Sequence, residues 1–146
     1  MSEQKTYWEW EHPGKVFITG ASAGIGASYA KAFAKKGFDL VLLARRRDRL
    51  QALANRMESD YPIHCEILSA DLADSEEIKK VAQHIRQIDN LDIVINNAGF
   101  ATVGHFTDIP IEKSKRMHHV HKDASLQFSH AALQGMLKRK RGVIVN

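Results

Sequence analysis

Cysteine is almost missing from this sequence: Cys65 is the only one in 146 residues. No intrachain disulfide can form, which excludes a disulfide-stapled extracellular scaffold and makes a reducing cytoplasm the expected compartment. Cys65 falls on an expected strand and reads as a small buried hydrophobe rather than a reactive thiol. Long apolar runs are missing too. The longest, residues 40–44, is far below the roughly 20 residues that a membrane-spanning helix requires. The polar start Met1-Ser2-Glu3-Gln4-Lys5 has no apolar core of a secretory signal. Excess charge is small. A net charge of +4 suits an anionic ligand, whereas nucleic acid would need a basic face that nothing here points to. What remains is ordinary globular composition, 44% hydrophobic and 26% charged residues, in a chain long enough for one domain with a sizeable core.

Residues 1–14 form a lead-in closed by the turn pair Pro13-Gly14. Its Trp8 and Trp10 are expected to cover the bottom or edge of a sheet. From residue 15 the pattern alternates. Strands are expected at 15–19, 38–44, 64–69, 91–96 and from 143, and helices at 25–36, 47–59 and from Ser75. A long helix is expected over about 111–138, with a break near Lys122. In the first helix Ile25, Tyr29, Ala30, Phe33 and Ala34 share one face, and Gly37 ends it. Residues 38–44 are nearly continuously apolar, as in a parallel strand covered on both faces. The alternation implies right-handed crossovers and a doubly wound, Rossmann-like parallel α/β sheet.

The chain is organised around Thr19-Gly20-Ala21-Ser22-Ala23-Gly24-Ile25-Gly26, which leaves the first strand and opens the first helix. Gly20 permits the turn, Gly24 lets backbone approach a pyrophosphate, and Gly26 lets the helix pack on the strand. The first N–H groups of a helix have no partner within it, so an anion is favoured there. The glycine spacing, four and then two, differs from the G-x-G-x-x-G of other dinucleotide folds.

Three motifs together carry a resemblance: Thr19-Gly-x-x-x-Gly-x-Gly26, Asp71-Leu72 after the third strand, and Asn96-Asn97-Ala98-Gly99 after the fourth. In this order the chain resembles the N-terminal portion of a short-chain dehydrogenase/reductase, from Lys15 to the end. The resemblance implies that Gly20, Ser22, Gly24, Ile25 and Gly26 surround the pyrophosphate of a nicotinamide cofactor, with Ala23 of the same loop also cofactor-binding. Asp71 would accept a hydrogen bond from the adenine amino group, and Leu72 would offer a backbone contact. Asn97, Ala98 and Gly99 would line the adenosine ribose, with Asn97 also tying the central strands together. Read without the family, Asp71 is a capping or loop acid and Asn97 a turn residue.

Charge argues for the phosphorylated cofactor. The second strand runs into Arg45-Arg46-Arg47, with no acid before Asp48. A carboxylate there would hold the ribose 2′-hydroxyl of NAD, whereas a guanidinium can take the 2′-phosphate of NADP. Arg45 is the first candidate and Arg46 the second. Ala23 stands where many NADP-binding relatives carry another basic residue. NADP(H) is expected over NAD(H).

The family's chemistry rests on a serine and a Tyr-x-x-x-Lys pair that move the substrate's proton. Four residues after Tyr7, Tyr29 and Tyr61 stand Glu11, Phe33 and Cys65, so no such pair is present. The sequence is therefore expected to be C-terminally truncated before the catalytic residues. His121 stands where the family usually has an asparagine of the proton relay. An imidazole can exchange a proton near neutral pH, or it can simply fill the space. His118, His119 and His121 cluster with no cysteine beside them, and no metal is expected there. Lys138-Arg139-Lys140-Arg141 reads as a solvated helix end rather than a targeting tag. The resemblance further implies a small carbonyl or alcohol substrate and a homo-oligomer paired through the long helix. The alternative is a dinucleotide-binding module or incomplete fragment without turnover.

Overall fold

A computed structural model describes residues 11–146; Trp8 and Trp10 lie outside the described residues. The chain alternates β1 (Lys15–Thr19), α1 (Gly24–Ala34), β2 (Asp39–Ala44), α2 (Arg47–Asp60), β3 (Cys65–Ser69), α3 (Ser75–Gln87) and β4 (Leu91–Ile95). A short 3-10 turn (Phe106–Asp108) leads into α4 (Ile111–His118), a π-helical turn (His119–Asp123), α5 (Ala124–Arg139) and β5 (Val143–Val145). All strand pairs are parallel, in the order β3-β2-β1-β4-β5. The chain moves outward from β1 to β3, then returns to β1's other side. This is the doubly wound, Rossmann-like fold, with its topological switch between β1 and β4.

Alternation along β1 sorts the core into two layers. Val16 and Ile18 point to one face with Ala30, Phe33, Leu50 and Met57; Phe17 points to the other with Ile78, Ile85, Phe128 and Met136. Aromatic rings meet edge to face in both layers, Phe17 with Phe128 and Phe33 with Phe38, each at 5.5 Å between centroids. β4 is buried along its whole length, as a central parallel strand requires.

The expected elements are present with shifts at their ends, and some details differ. Ile25 is 69% exposed. The buried face of α1 runs through Gly26, Ala30, Phe33 and Ala34, and Ile25 precedes Gly26 by one residue, about 100° around the helix. The N-cap of α3 is Asp74, whose carboxylate accepts from the N–H groups of Glu76 (2.8 Å) and Glu77 (3.3 Å). The long helix is not broken near Lys122. It widens there for one π turn, closed by a bond from Ala124 N–H to the His119 carbonyl, and continues. Cys65 is only partly buried.

Opposite the strand ends that carry the motifs, Asp92 is almost fully buried and holds the molecule's base together. Its Oδ2 accepts from Gly14 N–H at 2.8 Å and from Arg141 Nη2 at 2.5 Å, and Arg141 also reaches the His12 carbonyl at 2.6 Å. Among the described residues no helix is long and apolar enough to cross a membrane.

Candidate functional site

The four loops that leave β1, β2, β3 and β4 meet at one end of the sheet and enclose a cavity of about 310 Å³. Gly20, Ser22 and Ala23 come from the first loop, and Arg45 and Arg46 from the second. Ala70, Asp71, Leu72 and Ala73 come from the third, and Asn97, Ala98, Gly99 and Phe100 from the fourth. Ligands of open α/β sheets bind in this position, outside the carboxyl ends of the strands at the switch point.

Local chemistry sets each wall. α1 begins at Gly24, with no side chain capping its first turn. Gly24 has φ +55°, and nothing lies within 4 Å of where a Cβ would stand. Its backbone is therefore open to a ligand, and an L side chain would be strained there. Gly26 is close-packed: a Cβ would collide with the Gly20 carbonyl and lie 2.7 Å from Asn97 Nδ2. Asn97 Nδ2 donates to the Thr19 carbonyl at 3.1 Å, while Thr19 Oγ1 accepts from the N–H groups of Asn97 (3.0 Å) and Ala98 (2.9 Å). These bonds fix the loop after β4 against the end of β1.

Arg45 and Arg46 are exposed at the rim. The Arg45 carbonyl accepts from Ser69 Oγ at 3.0 Å, which ties the basic corner to β3. Asp71 is the only carboxylate in the lining. Its Oδ1 accepts from Ala73 N–H at 3.0 Å, an Asx turn, and its own N–H donates to Glu77 Oε2. Oδ2 faces Arg116 Nη2 at 3.3 Å.

The structure does not gather every residue that the motifs single out. Gly24, Ile25 and Gly26 lie outside the cavity lining, Ile25 because its side chain projects to solvent. His121 lines a second cavity of about 420 Å³ with Asn96, Ala98, Ser125, Leu126, Ser129 and Asn146. Ala98 borders both cavities. His121 Nε2 sits 3.1 Å from the Phe100 N–H and 2.9 Å from the Phe100 carbonyl, so its role as acceptor or donor follows its tautomer. The ring packs over Gly99, where a Cβ would overlap it.

Two lining residues come from outside the four strand-end loops and carry no motif. Arg116 and Val120, one turn apart on the α4 side, complete the wall opposite the basic corner. Their i, i+4 spacing puts them on one helical face, a signal visible in the sequence once that helix is known to cross the cavity. Among the described residues no group of three His, Cys, Asp or Glu side chains is placed to hold a metal.

Known proteins share this arrangement. A short-chain dehydrogenase from Sphingobium yanoikuyae in complex with NADPH superposes with a TM-score of 0.88 at 38% identity, over 92% of this chain and 53% of that one. A bulky-bulky ketone specific alcohol dehydrogenase from Comamonas testosteroni does so with a TM-score of 0.89 at 31% identity, over 94% and 54%. The inactive hydroxysteroid dehydrogenase-like protein 1 of Homo sapiens is 29% identical over 97% of this chain and 42% of its own length. A very-long-chain 3-oxoacyl-CoA reductase of Laccaria bicolor is 32% identical over 88% and 39%. The chain thus spans about two fifths of the length of these curated relatives. The short chain dehydrogenase profile matches residues 14–146, nearly all of the sequence, and the chain belongs to that family.

Proposed function

We propose that residues 15–146 are the NAD(P)-binding domain of an NADP(H)-dependent oxidoreductase that acts on a small carbonyl or alcohol substrate. The observation that carries the cofactor choice is the rim after β2, where Arg45 and Arg46 border the cavity and no acid follows the strand before Asp48. Two guanidinium groups attract a 2′-phosphate that an acid would repel. The NADPH complex of the Sphingobium relative supports the same choice.

The residues present fit such a cofactor. The open backbone at Gly24 and the uncapped start of α1 suit a pyrophosphate. Gly20, Ser22, Ala23, Ile25 and Gly26 would shape that loop, while Asp71 and Leu72 would hold the adenine. Asn97, Ala98 and Gly99 would hold the ribose. When bound, NADP(H) supplies or accepts the hydride. His121 keeps an imidazole nitrogen at the second cavity, where it can hold or pass a proton. The single cysteine agrees with a cytoplasmic location. On α5, Leu126, Leu133 and Leu137 are exposed and would pair with a second copy in a homo-oligomer.

A second reading, a dinucleotide-binding module without turnover, draws on the missing Tyr-x-x-x-Lys pair and on the inactive human relative. One experiment tests both. The 146-residue chain is titrated with NADPH and NADH by fluorescence, assayed for carbonyl reduction, and run on a sizing column. Micromolar NADPH affinity with at least about tenfold weaker NADH is expected, the discrimination that one charge-assisted contact gives. Binding without turnover supports the module, turnover makes His121 the first residue to replace, and no binding overturns the cofactor reading. Elution as a monomer removes the oligomer.

A further inference from the structure

The basic run 138–141 does more than end α5 in solvent. Lys138 and Arg139 meet Arg86 of α3 around a cavity of about 110 Å³, between the last turns of the two helices. Leu91, the first residue of β4, also lines it, so it lies at the opposite end of the sheet from the first cavity. Ile85, Ile88, Ala131 and Ala132 give it an apolar floor, and among the described residues no carboxylate lines it. None of the three cations has an ion pair among the described residues. Arg139 is nevertheless held in place. Its Nη2 donates to the Leu91 carbonyl at 2.5 Å, and its guanidinium lies over Gly135, where a Cβ would stand 3.0 Å from Nη1. A glycine inside a helix is less stable than alanine, and here it leaves the space that the guanidinium occupies.

The dipoles of α3 and α5 favour cations in their last turns. They do not account for three cations meeting at one acid-free hollow, where each repels the others. An anion between them removes that repulsion. A guanidinium with one donor engaged keeps others for the oxygens of an oxyanion. The cavity is well below the roughly 300 Å³ at which ordinary ligand pockets begin, so it suits a single tetrahedral oxyanion and not a nucleotide. We propose that Arg86, Lys138 and Arg139 form a binding site for a phosphate monoester, with the phosphoryl oxygens on the three cations and the ester carbon against the apolar floor. A free monoester and the headgroup of phosphatidic acid share this chemistry.

The test titrates the isotopically labelled 146-residue chain with glycerol 3-phosphate at constant ionic strength, read residue by residue by NMR. Saturable shifts are expected at the amides of Leu91 and Gly135 and at Arg139 Nε–H. The dissociation constant should be about 1 mM, as a few charge-assisted hydrogen bonds at an exposed site give. Arg86→Gln and Lys138→Gln should each weaken binding about fivefold. Lys140→Gln removes a charge from the same run outside the lining and should change it less than about twofold. Gly135→Ala puts a methyl group against Arg139. It should melt no lower than the parent, because alanine is the better helix former, yet bind about threefold more weakly. A loss in Lys140→Gln equal to that in Arg86→Gln would mean a diffuse positive surface and overturn the proposal. Full affinity in Gly135→Ala, or shifts confined to the glycine loop and Arg45, would overturn it as well. Vesicles containing phosphatidic acid separate the two sources. Co-sedimentation that Arg86→Gln abolishes assigns the headgroup, and glycerol 3-phosphate binding without co-sedimentation assigns a free monoester. Failure of both ligands to bind overturns the site.

Discussion

Under the proposed NADP(H) reading, Arg45 is the residue on which the cofactor preference would turn. It is exposed, so replacing it should leave the fold intact and change only what the rim attracts. Arg45→Asp should weaken NADPH by about a hundredfold, since a contact is lost and a like charge is gained. NADH should change by less than about threefold. Equal losses, measured by titration, would remove Arg45 from the 2′-phosphate. Cys65 tests the opposite kind of environment. Burial, and then the charges of Glu58 and Asp39, push its thiol up to about 12. Thiolate is the reactive form, so alkylation by a maleimide at pH 8 should run far slower than for free cysteine, and should accelerate as the pH approaches 12. Because the shift is upward, its stabilising effect is complete below about pH 9, the ordinary thiol value, and is lost as pH rises towards 12. Fast labelling at pH 8 would show that the strand opens locally. That the motif loops meet at one cavity was legible because each motif is a short local pattern at the end of a strand. Arg116 was not, because its partner lies 45 residues away and the pairing exists only once α4 has crossed the strand ends.

At the scale of elements, strand and helix positions followed from apolar runs and glycine turns, since each is a local property of a few residues. The π turn did not. It inserts one residue's worth of phase into a helix whose residues are ordinary helix formers, and the cause is tertiary. Arg116 before the turn and Val120 at its start face the first cavity; beyond it Ser125 and Ser129 face the second. A uniform helix would carry one stripe past both sites. His121 sits inside the turn and joins this helix to the loop after β4 through the Phe100 backbone. Gly99→Ala places a methyl group in the His121 ring, and overpacking of this kind costs about 1–3 kcal/mol. Adding His121→Ala should recover most of that loss in a double-mutant cycle followed by chemical denaturation. Additive losses would mean that the two residues do not press on each other.

Across the whole molecule, the motif-lined cavity and the buried Asp92 anchor sit at opposite ends of the sheet. The motif loops surround the cavity at one end, and Asp92 anchors the other. Two buried layers were foreseeable from the near-continuous apolar strands, but the Asp92 anchor was not, because an acid inside an apolar strand looks like an edge position until its partners are known. Arg141→Met leaves that buried carboxylate short of a partner. Breaking a buried pair costs about 3–5 kcal/mol, and the lower end applies because Arg141 is 31% exposed. NADPH affinity of the folded fraction should be unchanged within about twofold, as expected for sites this far apart. A matching loss of affinity would mean that the base and the cavity are coupled. The same anchor also governs the order in which the protein can be made. Arg141 bonds to His12 across 129 positions of sequence, and β1 waits for β4 on its far side. A ribosome releases these partners one after another, so the first strand emerges long before the residue that ties its base. Pairing of β1 with β4 and the Gly14–Asp92 bond can form once β4 has emerged, but the Arg141 bonds that complete the anchor come last in the order of synthesis.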